Sequence, residues 1–81
     1  MLYLKSLKVI GKEGDRLNRE KIAQTLKELR GKATQKETAS AIGISQSTYA
    51  MYETGERIPS DEKKRLIAAH FKKSVQEIFF D

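Results

Sequence analysis

Apolar residues recur along most of this chain at the spacing of helix faces, and Gly or Pro interrupts them at short intervals. Ile22, Ala23, Leu26 and Leu29 fall at i, i+1, i+4 and i+7. That is a single apolar stripe, and it predicts a helix over residues 19–30 with Asn18 as N-cap and Gly31 as its stop. Thr34 and Glu37 have the spacing of a capping box and open a short second helix that ends at about Ile42, before Gly43. Ser45 caps a third helix that runs to about Thr54, with Gly55 behind it. After the loop "ERIPS", Ser60 caps a fourth, whose Asp61 and Glu62 suit the positive end of the helix dipole. Its inner face is expected from Leu66, Ile67, Ala69 and His70 or Phe71, with Lys72 and Lys73 at the negative end. Ser74 and Glu77 form another capping box, opening a fifth short helix with Val75, Ile78 and Phe79 turned inward.

The start of the chain is ambiguous. In "LYLKSLKVI", residues 2–10, Tyr3, Leu7 and Val9 fit one face of a strand, while Tyr3, Leu4, Leu7 and Ile10 fit a helical stripe. Val9, Ile10 and the bounding Gly11 favour the strand, and "GKEGD" reads as a turn. The expected organisation is therefore an extension over 1–18 and an all-α domain of five helices over 19–81. The extension could be an arm along DNA, a strand pairing with a second copy, or a disordered tail. Its apolar content argues against disorder, and a lone strand needs a partner for its backbone.

Helices two and three, with three residues between them, have the proportions of a helix-turn-helix. Gly43 supplies the sharp turn, Ala39 lets two helix axes approach, and Ile44 fills the angle. The third helix, "QSTYAMYET", has no Lys or Arg. Gln46, Ser47, Ala50 and Met51 share its outer face, and Tyr49, Tyr52 and Glu53 face the bundle. A base edge is uncharged. It offers donors, acceptors and the thymine methyl, which Gln, Ser and apolar groups can meet. A neutral helix can therefore read bases if cations elsewhere hold the phosphates. Arg57, Lys63, Lys64 and the basic first third of the chain are the available cations.

Charge supports that division. The net charge is +5, residues 1–32 carry nine Lys/Arg against four Asp/Glu, and residues 33–81 carry seven of each. Such a balance favours a polyanionic partner. Among 81 residues there is no cysteine, so disulfides and thiolate metal sites are excluded, and a reducing cytoplasm is the expected setting. No apolar run approaches the roughly 20 residues of a membrane span, and "MLYLKSLKVIGKEG" lacks the pattern of a signal peptide. His70 is the only histidine. With no nucleophile motif, carboxylate pair or second ligand around it, it reads as a half-buried helix residue. No enzyme activity, cofactor or metal is expected.

Four segments carry a family resemblance: "LKELR", "TQKETASAIGIS", "QSTYAMYETGERIPS" and "LIAAHFKKSVQEIFF". Together they resemble the lambda-repressor/Cro-like helix-turn-helix family, often called the Xre family, over about residues 20–80. The resemblance implies that Ser45, Gln46, Ser47 and Met51 face base edges, that Gln35 and Arg57 touch phosphate, and that Glu53 pairs with Arg30. The function expected is a sequence-specific duplex-DNA-binding regulator, a repressor of phage or mobile-element type, bound as a homodimer to an inverted-repeat operator. A regulatory protein partner is possible in that setting, and no membrane is expected. The alternative is an antitoxin or adaptor whose main role is protein–protein interaction.

Overall fold

The computed structural model describes the backbone of residues 12–80 and the side chains of residues 18–80. Four α-helices follow in order: α1, Lys12–Arg30; α2, Gln35–Ile42; α3, Gln46–Thr54; and α4, Asp61–Phe71. A π-helical turn, Gln76–Phe80, closes the described chain. There is no strand among the described residues, and none of their helices is long and apolar enough to cross a membrane. The strand expected over 2–10 lies outside them.

The predicted caps are present as hydrogen bonds. Thr34 Oγ1 accepts from the Glu37 N–H, and Glu37 Oε1 accepts from the Thr34 N–H, at 3.0 and 2.9 Å. Ser45 and Ser60 cap α3 and α4 through the N–H groups of Thr48 and Lys63. Ser74 and Glu77 form the second reciprocal box. Each cap satisfies donors that a helix start leaves orphaned.

Three expectations are corrected. The first helix begins at Lys12, so "KEGD" is helical and Asn18 lies inside α1. Gly14 and Asn18 disfavour helix by about 1 kcal/mol or less each, and extending an existing helix is far easier than nucleating one. On α4 the buried pair is Ile67 and Ala68, while Leu66 is 39 % exposed and Ala69 faces solvent. Ile67, Ala68 and Phe71 form one stripe, whereas the predicted set mixed two phases. His70, expected half-buried, is exposed on that outer side.

The core is built from all of these elements. Leu26 of α1, Tyr49 of α3 and Ile67 of α4 are completely enclosed, and Phe79 nearly so. Burying each such side chain contributes about 1.5–3 kcal/mol. Ala39, 1 % exposed, is the close-approach point of α2, and Ile44 packs against the core at the turn. Gly43 makes that turn at φ 96°, ψ 27°, while the N–H groups of Gly43 and Ile44 both donate to the Ala39 carbonyl at 2.9 and 3.0 Å. An added Cβ at Gly43 would meet nothing within 4 Å. Backbone conformation, not space, selects glycine there.

One carboxylate joins three helices. Glu53 of α3 is 1 % exposed. Arg30, the last residue of α1, donates from Nε to Glu53 Oε2 at 2.6 Å and from Nη2 to Oε1 at 3.0 Å. Gln35, the first residue of α2, donates from Nε2 to the same Oε1 at 2.9 Å. Arg30 Nη1 also donates to the Ala33 carbonyl at 2.6 Å. The guanidinium thus ties the short α1–α2 connection to α3. Burial pushes the Glu53 carboxyl up, but the bonds from Arg30 and Gln35 and the neighbouring Tyr49 hydroxyl outweigh it and hold the group below the usual carboxylate range. Arg30 is raised in turn, mainly by its bond to Glu53. The Tyr49 hydroxyl is buried beside this pair with no partner of full hydrogen-bond geometry; burial is the main cause of its raised pKa, followed by Glu53.

Two predictions concern this framework. Gly43→Ala is expected to destabilise the domain by about 1 kcal/mol, from forcing an L-residue into left-handed backbone, lowering Tm by about 4–8 °C. Lys72 already occupies that region at φ 57°, so Lys72→Gly is expected to leave Tm unchanged or raise it slightly. Thermal melts of the two variants check the opposite signs. Glu53→Gln is expected to cost about 2–3 kcal/mol, less than for a fully enclosed pair, because the Arg30 side chain keeps 21 % exposure. Glu53 is depressed when folded, so its contribution is present above the unfolded pKa of about 4.3 and is lost as pH falls through the folded value. Denaturant titrations between neutral pH and pH 3 should show a shallower acid loss for Glu53→Gln than for the parent.

Candidate nucleic-acid interface

Helix α3 is nine residues long and exposes one side. Gln46 and Ser47 are exposed, Ala50 and Met51 half-buried, and Tyr49, Tyr52 and Glu53 buried. The alternation follows from the helical period, since Tyr49, Tyr52 and Glu53 share the face locked against α1 and α2. Glu53 is the helix's only charged side chain, and it is paired internally. The outward face therefore has no charge, and the first turn ends in amide and hydroxyl groups. A body of this kind is about 14 Å long and of a width that the major groove admits.

Ser45 stands at the tip of α3, but its hydroxyl is already occupied. It accepts from the Thr48 N–H at 3.1 Å and shares a hydrogen bond with Thr48 Oγ1 at 2.9 Å. One bonding position of its three remains for a base. Gln35 is similarly committed. It is half-buried and spends one amide N–H on Glu53, leaving its second N–H and its carbonyl oxygen. That bond was not legible in the sequence, because the two residues lie 18 apart and meet only through the packing of α2 on α3.

Arg57 is exposed in the exit loop. The N–H groups of Glu56 and Arg57 donate to the Met51 carbonyl at 3.0 and 3.3 Å, so the loop is pinned to the end of α3. Arg57 also lies near enough to Tyr52 for its charge to oppose the rise that burial causes in that phenol's pKa. Lys63 is half-buried on the first turn of α4, and no hydrogen bond ties it to α3. The neighbouring Lys64 is turned inward: its ammonium sits 4.8 Å from the Phe80 ring centre and 4.0 Å from Asp61 Oδ1. Sequence reasoning passed over Lys32 and Lys36. Both are exposed around the N-terminus of α2, where helix N–H groups and a cation together favour an anion. Their position beside the Thr34 cap was the available signal.

Within the described residues the structure thus brings Arg30, Gln35 and Glu53 into one network and sets Gln46, Ser47 and Met51 on one face, with Arg57 at its edge. In comparison with known families, helix-turn-helix matches residues 26–78, more than half of the chain. No curated protein and no solved structure matches. The matched residues contain the whole of α2, the turn and α3, and with this architecture they show that the chain belongs to the Xre/lambda-repressor-like helix-turn-helix family, a family of DNA-binding transcriptional regulators.

Proposed function

We propose that the protein is a sequence-specific repressor of phage or mobile-element type, acting in the cytoplasm as a homodimer on an inverted-repeat operator. The observation that carries this reading is the uncharged outer face of α3, held at a fixed roll by the buried Glu53 network. In this reading Gln46 and Ser47 bond base edges, with Ser45 contributing its one free position and Met51 an apolar contact. Arg57, exposed at the exit of α3, is the phosphate contact of this reading. Lys63, Lys36 and the remaining N–H of Gln35 are further phosphate partners in this reading. Two copies on a twofold operator would set half-sites about one helical turn apart, roughly 10 bp. Exposed Phe80 and Leu66, at 60 % and 39 %, are apolar groups that a second copy or a regulatory protein partner would cover.

Selection of bound sites from random duplex DNA tests the whole reading at once. A shared, twofold-symmetric motif is expected, bound with an affinity that falls steeply with salt as phosphate contacts release counterions. Failure to enrich any motif at low salt would move the protein to the adaptor or antitoxin class. On the selected site, Gln46→Ala is expected to lose about 1–3 kcal/mol of binding while binding to unrelated DNA hardly changes. Equal losses on both would remove Gln46 from base reading. Arg57→Ala should weaken both alike and reduce the salt slope by about one, as a filter-binding or anisotropy titration over several salt concentrations would show.

A further inference from the structure

Helix α1 presents two different sides to the rest of the domain. Arg30 binds Glu53, and the Arg19 carbonyl oxygen lies 3.7 Å from where a Cβ on Gly55 would stand, so these two mark the side that meets α3 and its cap. Thr25 and Leu29, four residues apart, stand roughly a third of a turn round the helix from there. The π-helical turn Gln76–Phe80 also packs on α1. Between them an open cleft of about 270 Å³ is lined by Thr25, Leu29, Lys73, Glu77 and Ile78. None of these residues belongs to α2 or α3, and the reading proposed above does not use the cleft.

The lining is apolar at the floor and charged at the rim. Ile78 is 3 % exposed, and Leu29 packs against the core. Lys73 and Glu77 are exposed, and both are fixed at their base. Lys72 takes the left-handed conformation at φ 57°, and the Lys73 N–H donates to the Ala68 carbonyl at 3.0 Å. Glu77 Oε1 accepts from the Ser74 N–H at 2.9 Å, while the Glu77 N–H donates to Ser74 Oγ at 3.0 Å. That leaves Oε2 available. The bonds from Ser74 hold this carboxyl below the usual carboxylate range, and the charge of Lys73 lowers it further. Yet Lys73 makes no direct ion pair among the described residues. The two opposite charges thus share one rim with a gap between them.

We propose that this cleft binds a free α-amino acid with an apolar side chain, its carboxylate on Lys73, its ammonium on Glu77 and its side chain on Leu29 and Ile78. Charge-assisted hydrogen bonds are the strong ones, and a zwitterion satisfies a cation and an anion at once. A simple carboxylic acid would meet repulsion from Glu77, and a simple amine from Lys73. The volume limits the size, since pockets for drug-sized ligands run from about 300 to 1,000 Å³. An amino acid in the cleft ties α1 to the closing turn, and a ligand that binds only the folded chain raises its stability.

The test is titration of the full chain with L-leucine, L-methionine and L-phenylalanine, followed by amide chemical shifts. At least one should give saturable shifts at Thr25, Leu29 and residues 73–78 and raise Tm, while the amides of Gln46 and Ser47 stay in place. Isocaproate, which is leucine without its ammonium, and isoamylamine, which lacks the carboxylate, should bind about ten-fold more weakly or worse, the value of one hydrogen bond to a charged group. Lys73→Ala and Glu77→Gln should each weaken the amino acid by a similar factor. Both should keep the unliganded Tm close to the parent's, because Lys73 is exposed and glutamine also closes a capping box. Either variant binding as tightly as the parent, isocaproate matching leucine, or no saturable shift with any of the three amino acids would overturn the proposal. Movement of the same amides on dilution without ligand would assign the cleft to a second copy and overturn it as well. The base-reading role of α3 stands or falls separately.

Discussion

The arrangement depends on one buried carboxylate. Glu53 sits on the inner face of α3 and accepts hydrogen bonds from the last residue of α1 and the first residue of α2. Desolvating a carboxylate is unfavourable, and a buried ion pair is often no more stabilising than apolar residues of similar size. What a leucine at this position could not provide is direction. Three donor–acceptor lines arriving from two other helices define both the roll of α3 about its axis and its separation from its neighbours. A helix that discriminates by hydrogen bonds must hold its outward side chains to within a fraction of an ångström and about 10–20°. In this protein the required orientation is imposed from the inward side.

That tertiary constraint is needed because the reading unit has little stability of its own. Helix α2 has eight residues and α3 has nine, both below the length at which an isolated helix persists in water. Caps lower the entropic disadvantage at each end, and left-handed residues at Gly43 and Gly55 satisfy the final carbonyls. Tyr49 and Tyr52 then anchor α3 into the same core that Leu26 and Ile67 fill. Capping decides where each helix begins and ends, burial decides which face turns inward, and the carboxylate network decides the angle.

How much of this the sequence disclosed follows the range of the interactions involved. The capping boxes at Thr34 and Ser74, the stop at Gly43 and the inward phase of Tyr49 and Tyr52 are governed by residues within one or two turns, and all were legible. The Arg30–Glu53 geometry spans 23 residues and was accessible only through the family pattern. Gln35 was expected at a phosphate, yet one of its N–H groups is held by Glu53, a tertiary fact with no local sign. The start of α1 was missed because Gly14 and Asn18 carry weak local penalties that helix propagation overrides. The phase of α4 was missed because Leu66 and Ile67 are adjacent and equally apolar, so only packing against α2 and into the shared core distinguishes them. In the same way the hydroxyl of Ser45 serves its own helix as well as the outer face, a competition that residue type alone does not reveal.

Placing the charges away from α3 separates two properties that many basic helices combine. Cations on the reading face would bind any duplex and would strengthen correct and incorrect sites alike. With Glu53 neutralised internally and no Lys or Arg on α3, the proposed attraction to random DNA is assigned to residues outside the helix, such as Arg57, Lys36 and the basic first third of the chain. In the proposed reading, discrimination rests on an amide, hydroxyls and a small apolar patch, whose interactions are short-ranged and respond little to salt. Affinity and selectivity can therefore be altered by different sets of residues. The Arg30–Glu53 pair connects them, because loosening it disturbs the orientation of the outer face of α3 without removing any of the groups proposed to touch DNA.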